Sequence, residues 1–190
     1  MKTLTEPKAL NELKKLKTVY REFININYEH NAKSCLTCET KGVCCLDAHF
    51  VNVHITRLEA AAIGQTLEKL SEKRQREIYR RARETVEKYD LKTSGDTFAQ
   101  TFACPLFEKN IGCLVHENGK PAPCISHACY ENKADLPPEK LQTEIEKRIE
   151  RLNKRTYGNA WAWLPLPVWL DLINKESETK ASNERRKAVL

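Results

Sequence analysis

The sequence lacks the signals that most readily assign a chain to a known chemistry. No run approaches the roughly 18 apolar residues that cross a bilayer, and the opening Met1-Lys-Thr-Leu-Thr-Glu-Pro-Lys8 has no apolar stretch of the secretory kind. Both absences lead us to expect a cytoplasmic protein without a membrane partner. There is no Gly-rich phosphate loop, no His-Glu-x-x-His pair and no serine elbow, which removes the commonest nucleotide, zinc-protease and acyl-transfer signatures. Clustered positive charge is also missing. The net charge is +6, but 26 acidic residues are interleaved with 32 basic ones, whereas a phosphate-tracking surface groups its cations and adds aromatics. Nucleic acid is therefore not the expected partner, and the densest basic stretch, Lys73 to Arg83, reads as the solvated face of a helix.

Cysteine is absent from every long helical stretch. All eight cysteines lie in two groups, Cys35-Leu-Thr-Cys38-Glu-Thr-Lys-Gly42-Val-Cys44-Cys45 and, about sixty residues downstream, Cys104, Cys113, Cys124 and Cys129. Such segregation argues for joint use. In a reducing compartment grouped Cys-x-x-Cys spacing more often binds metal or acts catalytically than forms structural disulfides. A Cys-x-x-Cys pair lets two sulfurs converge while intervening N–H groups point at the thiolates, and Gly42 permits the tight reversal that returns Cys44 to the same place.

The rest of the chain is patterned for helices. With 190 residues and 41% hydrophobic content, one soluble domain is the default. From Lys8 to Tyr28 the residues Leu10, Leu13, Leu16, Val19, Tyr20, Phe23 and Ile24 recur at threes and fours, which predicts an amphipathic helix burying that stripe. Phe50 to Ile55 alternates and suits a short extended segment. Thr56 with Glu59 forms a capping box before a helix over Leu58 to Ile63, with Gly64 placed to cap or bend it. A helix from Ser71 to about Tyr89 should bury Ile78, Ala82, Val86 and Tyr89. Leu91 to Ala103 reads as loop, and the glycines and prolines at 112, 119, 121 and 123 keep Pro105 to Cys129 irregular, so that metal ligation would have to hold it. Pro137 and Pro138 open a helix to about Tyr157, closed by Gly158. Trp161 to Ile173 holds all three tryptophans, as core or as a partner surface. The expected organisation is one metal-binding domain over residues 1–175, with its cysteine core at about 34–130, and a polar tail over 176–190 that frays. The fold class is mainly α, a small helical bundle with irregular cysteine-rich loops converging on a metal site.

The order of these elements, Cys-x-x-Cys, a vicinal Cys-Cys, a helical insertion, Cys-Pro-Leu and a Cys followed about ten residues later by Pro-x-Cys, resembles the YkgJ family of cysteine-cluster proteins, described as zinc- or iron-chelating. Cys35, Cys38, Cys44 and Cys45 match its first group. Thr56-Arg-Leu-Glu59 matches its helix start, Cys104-Pro-Leu-Phe107 its Cys-Pro-Phe-Leu element, and Cys113-Leu-Val-His116 through Lys120-Pro121 to Cys124 its last element. The match covers roughly residues 34 to 130. His116 stands where the family has tyrosine and Lys120 where it has arginine, and the interval to Cys124 is one residue longer. The resemblance implies a metal site built from cysteines. A similar cluster accompanies flagellin lysine methylases, so an enzyme is a further reading.

Two metals suit eight thiols. Four thiolates close a tetrahedral Zn2+ site, and four can equally hold a [4Fe–4S] cluster. Zinc favours two regular Cys-x-x-Cys knuckles and only the first is present; the uneven intervals of the second group suit wrapping around a larger object, which favours iron–sulfur. In extended backbone, Cys44 and Cys45 would face opposite sides, so they share one centre only if a local turn intervenes; more easily they face two centres, or one ligates and one packs. His116 and His127 each stand at Cys-x-x-His spacing from Cys113 and Cys124 and are the histidine candidates, whereas His49 and His54 read as structural and His30 as surface. Cys124 beside His127 could be an activated nucleophile, but its place in a dense thiol set favours ligation. The carboxylates Glu108, Glu117 and Glu131 read as solvated. The expected function is a cytoplasmic iron–sulfur or zinc protein with a redox, sensing or accessory role; a structural zinc module for a protein partner and an iron–sulfur enzyme are the alternatives.

Overall fold

The computed structural model describes residues 3–33, 39–40, 42–46, 51–158 and 163–188, with backbone alone at 180, 181 and 184–188. Seven helices form among the described residues: α1 (Glu6–Asn27), the four-residue turn α2 (Val43–Leu46), α3 (Arg57–Leu67), α4 (Glu72–Lys88), the short α5 (Ala122–Ser126), α6 (Glu139–Tyr157) and α7 (Leu166–Ala188). Strand structure is confined to two-residue antiparallel ladders. β1 (Ala32–Lys33) pairs with β5 (Cys129–Tyr130), β2 (His54–Ile55) with β6 (Leu164–Pro165), and β3 (Phe107–Glu108) with β4 (Gly112–Cys113). The fold is mainly helical, as its periodicity predicts. No described helix is long and apolar enough to cross a membrane.

The bundle is built around α3, whose sequence Leu58-Glu-Ala-Ala-Ala-Ile-Gly64 is small on nearly every side. One face, through Ala60, Ile63 and Leu67, packs with Ile78 and Ala82 of α4 and with Val168, Trp169 and Leu170 of α7. Its other face, through Leu58, Ala61 and Ala62, packs with Leu10, Leu13 and Ile24 of α1 and with Ile145 and Ile149 of α6. A helix apolar all round has to be covered on both sides, and here its short side chains let two helix pairs approach it. Trp169 is fully buried and fills the first of these clusters; Trp161 lies outside the described residues.

Helix boundaries follow local chemistry. Thr5 precedes α1, Ser71 precedes α4, and Gly158, at φ +78°, closes α6. Three details differ from the sequence expectation. In α1 the buried positions are Ala9, Leu10, Leu13, Lys17, Tyr20 and Ile24, whereas Val19 and Phe23 are 64% and 42% exposed. The inner stripe therefore includes a lysine, because a carboxylate waits opposite it. Gly64 does not end α3, which continues to Leu67; α7 packs alongside it, with Ile173 Cδ1 3.5 Å from where a Cβ would stand, an ordinary van der Waals distance. Beyond Glu176 the chain does not fray but continues α7 to Ala188, supported by one-turn pairs such as Asn174 to Glu178 (2.9 Å) and by Arg57 to Glu176 (2.8 Å).

The capping box at Thr56 is only half formed. Thr56 Oγ1 accepts the Glu59 N–H at 3.3 Å, but the Glu59 carboxylate turns inward. Its Oε1 meets Lys17 Nζ at 3.4 Å and accepts the Ala122 N–H at 3.1 Å. Glu59 is fully buried and Lys17 is 8% exposed, so this one oxygen ties α1 and α5 to α3. Burial lowers the Lys17 pKa, and Glu59 works against that shift.

Gly64 gives a direct test of the close packing. A methyl group meets only ordinary contact at Ile173, so Gly64→Ala should stabilise the chain by about 0.5–1 kcal/mol through helix propensity, while Gly64→Leu should cost roughly 1–3 kcal/mol by overpacking. Urea unfolding of the two variants reads both signs.

Candidate metal centre

Backbone geometry, not sulfur alone, brings the two cysteine groups together. Gly42 lies at φ +83°, and a Cβ there would fall 2.0 Å from Phe107 Cζ, so the Phe107 ring from the second group rests directly on the backbone of the first. From Gly42 the chain turns into α2, which carries both Cys44 and Cys45. The vicinal pair is thus helical rather than extended, which supplies the turn it needs to face one region from two directions, about 100° apart. The Cys45 carbonyl accepts the Cys104 N–H at 2.7 Å. The thiol of Cys44 lies beside the thiol of Cys45 and the imidazole of His127, both of which favour its ionised form, while Cys45 feels the charges of Cys104 and Cys124.

The second group is set by a hairpin and a turn of helix. After Cys104, Pro105 and Leu106 bury, the Phe107 N–H donates to the Cys104 carbonyl at 3.3 Å, and the backbone N–H groups of Leu106 and Phe107 favour the Cys104 thiolate. The ladder of β3 and β4 then returns the chain, with Asn110 and Gly112 both at positive φ, so that Cys113 stands opposite Phe107 and the Val115 N–H favours its thiolate. Glu108 anchors the hairpin to α4 through Arg74 (2.7 Å) and Arg81 (2.8 Å). Part of the basic stretch read as solvated is therefore committed to this carboxylate. Cys124 sits in α5, whose Ala122 N–H is held by Glu59. Cys129 stands opposite Lys33 across the β1 and β5 ladder, two residues before Cys35 in sequence, with Lys33 and Glu131 paired at 2.9 Å.

The thiols are half-buried and carry the marks of that burial. Cys104 is pushed up to about 12, chiefly by desolvation, although the N–H groups of Leu106 and Phe107 pull the other way. Desolvation also raises Cys124, helped by the neighbouring Cys104 and Cys113 charges, and it raises Cys113. In the vicinal pair the mutual hydrogen bond favours one shared negative charge, drawing Cys44 down and pushing Cys45 up. The raised thiols, those of Cys45, Cys104, Cys113 and Cys124, favour their protonated form at neutral pH, whereas Cys44 favours the thiolate.

Cys44, Cys45, Cys104, Cys113 and Cys124 are free thiols, and those of Cys45, Cys104, Cys113 and Cys124 form one electrostatically linked set with His127 beside Cys44. Cys35 and Cys38 lie outside the described residues. Among the described residues no three His, Cys, Asp or Glu side chains already stand in a metal-holding arrangement. The donors nevertheless fit a thiophilic metal: they are sulfur, drawn from both groups, and nearby backbone N–H groups favour the thiolates of Cys104 and Cys113. His116 is exposed and points at Glu117, 3.9 Å away, and burial together with Lys120 holds its pKa below the ordinary value. His54 is structural, buried between Asn52 O (3.1 Å) and Thr97 O (2.8 Å) and stacked on Phe98 at 4.4 Å. His30 is exposed, and His49 lies outside the described residues.

Sequence reasoning missed the charged residues behind the cysteines. Lys17 and Glu59 meet as described, and Arg21 forks onto the carbonyls of His116 (2.8 Å) and Glu117 (3.1 Å). Lys17, Arg21, Glu117 and Lys120 border a groove of about 720 Å³ between α1, α3 and the 117–120 turn. The only sequence signal was a polar residue on an otherwise apolar helix stripe. No protein-family model matches the chain, and no curated protein or solved structure matches it significantly.

Glu108 makes the hairpin anchor testable. Burial opposes its ionisation, but the bonds from Arg81 and Arg74 outweigh this and hold its carboxyl below the usual range. The ion pairs therefore stabilise the fold above about pH 4.3 and are lost as pH falls through the lower folded value. Glu108→Gln should cost about 1–2 kcal/mol at pH 7, and the gap between variant and wild type should close in acid. Chemical denaturation at a series of pH values measures that gap.

Proposed function

We propose that this chain binds a metal centre through its clustered cysteines, either an iron–sulfur cluster of the [4Fe–4S] type or Zn2+, in a redox, sensing or accessory role. What carries the reading is the meeting of thiols from two groups about sixty residues apart, fastened by the Cys104 N–H to Cys45 O bond. The resemblance of residues 34 to 130 to the YkgJ cysteine-cluster proteins supports it. The ligands would come from Cys35, Cys38, Cys44, Cys45, Cys104, Cys113, Cys124 and Cys129. More thiols than one zinc ion requires, at uneven spacing in the second group, favour the cluster, which when bound would supply one-electron redox chemistry.

The chain's own residues have separate tasks in this reading. Cys104 and Cys113 offer sulfurs whose thiolates nearby backbone N–H groups favour, and α2 presents the vicinal pair. His127 lies beside Cys44 and favours the ionised form of its thiol. The first Cys-x-x-Cys pair also suits a closed zinc site, and it favours the second reading, a structural zinc module that presents its helices to a protein partner.

Elemental analysis of anaerobically purified protein separates the two. Iron with acid-labile sulfide and broad visible absorption is the expected result, while colourless protein holding zinc supports the module. Stripping the metal should lower Tm by about 10 °C or more, since each kcal/mol moves Tm by roughly 2–4 °C in a chain of this size and a cysteine-held metal contributes several. Metal at trace level only, or identical melting before and after chelation, would sink the proposal.

A further inference from the structure

Three cations stand on, or fasten, the segments that carry Cys113 and Cys124. Lys17 occupies a core position on α1 at 8% exposure, where an apolar side chain would pack without the desolvation cost of an ion. Its carboxylate partner Glu59 also holds the Ala122 N–H, two residues before Cys124. One helical turn further along α1, Arg21 reaches the carbonyls of His116 and Glu117, just past Cys113. Lys120 is half-buried on the facing turn, four residues before Cys124, and has no carboxylate partner among the described residues. All three line the same groove. The sulfurs of Cys113 feel Lys120 and Arg21, and those of Cys124 feel Lys120 and Lys17. The acids around this wall are Glu59, already engaged, and Glu22, Glu68 and Glu117, exposed carboxylates that line the same groove.

Four thiolates around a divalent ion, or around a doubly charged cluster core, leave about two negative charges. A partly desolvated centre of that charge is costly unless cations answer it. We infer that Lys17, Arg21 and Lys120 form a built-in cationic wall that offsets the charge of the loaded cysteine centre and thereby sets how tightly it holds metal and, for a redox centre, how readily it is reduced. The inference rests on the metal-binding reading. These are positioning and tuning residues, not ligands, so their effect follows charge rather than shape.

Lys120 is the residue to change, because it lies at the surface and its loss breaks no ion pair. In the full-length, metal-loaded protein, Lys120→Met should release zinc or iron to a chromogenic chelator about 10-fold faster than wild type, the lower end of what outer residues contribute to metal affinity. Lys120→Arg should restore the wild-type rate, and 1 M salt should shrink the difference. For an iron–sulfur centre the reduction potential should fall in Lys120→Met and recover in Lys120→Arg. Lys140→Met, an exposed position on α6, removes the same charge elsewhere and should change nothing. Lys17→Met should act in the same direction as Lys120→Met, with circular dichroism reporting its folding. Equal rates for Lys120→Met and Lys140→Met, or failure of arginine to rescue, would overturn the wall while leaving metal binding standing. A wild-type chain that holds no metal would overturn both.

Discussion

A carboxylate removed from water must find partners, and Glu59 finds them on two other helices at once. Its Oε1 faces the ammonium of Lys17 and the first N–H of α5, while its own N–H is held by Thr56. Taking either ion away alone would strand the other, at a cost of roughly 3–5 kcal/mol. An apolar pair of equal volume would satisfy the core as well, so this pair is better understood through what it positions. It seats the turn carrying Cys124 on α3, the helix that both core clusters share.

The cysteine loops depend on a frame in which sulfur takes no part. Glu108 clamps the β3 and β4 hairpin to two arginines of α4, Arg21 clamps the turn after Cys113 to α1, and the Phe107 ring lies against Gly42. Each contact removes freedom from a thiol-bearing segment before any ligand arrives. Ordering supplied in advance need not be supplied by binding, and that is how preorganisation raises affinity. The same frame explains how a stretch rich in glycine and proline keeps a defined course with only two-residue ladders.

Much of the helical frame is legible in the sequence. Ser71, Pro138 and Gly158 mark ends correctly, and Ile78 and Ala82 point inward as their spacing predicts. The failures share a cause, which is that the deciding partner lies far along the chain. Lys17 looks solvated until Glu59, 42 residues on, is known to be buried; Val19 and Phe23 then turn outward. Gly64 reads as a terminator until Ile173 is seen against it. The capping box at Thr56 is half complete because the Glu59 carboxylate has stronger claims elsewhere. In the site, the grouping of cysteines is plain from spacing. The contact of α2 with the Cys104 segment, the approach of His127 to Cys44 and the cations behind Cys113 and Cys124 are not, because each is tertiary.

The ladder joining Lys33 to Cys129 spans about a hundred residues of chain. Closing so long a loop adds only modestly to the entropic cost of folding, since that cost grows with the logarithm of length, but it fixes an order of events. At ordinary translation rates of roughly 5–20 residues per second, the first four thiols emerge several seconds before any of their downstream counterparts exist. A nascent chain therefore displays an incomplete, accessible set of sulfurs to the surrounding metal pool. On the metal-binding reading proposed above, whatever is captured at that stage would have to be released or shared once Cys104 to Cys129 arrive, which would make maturation a matter of timing as much as of affinity.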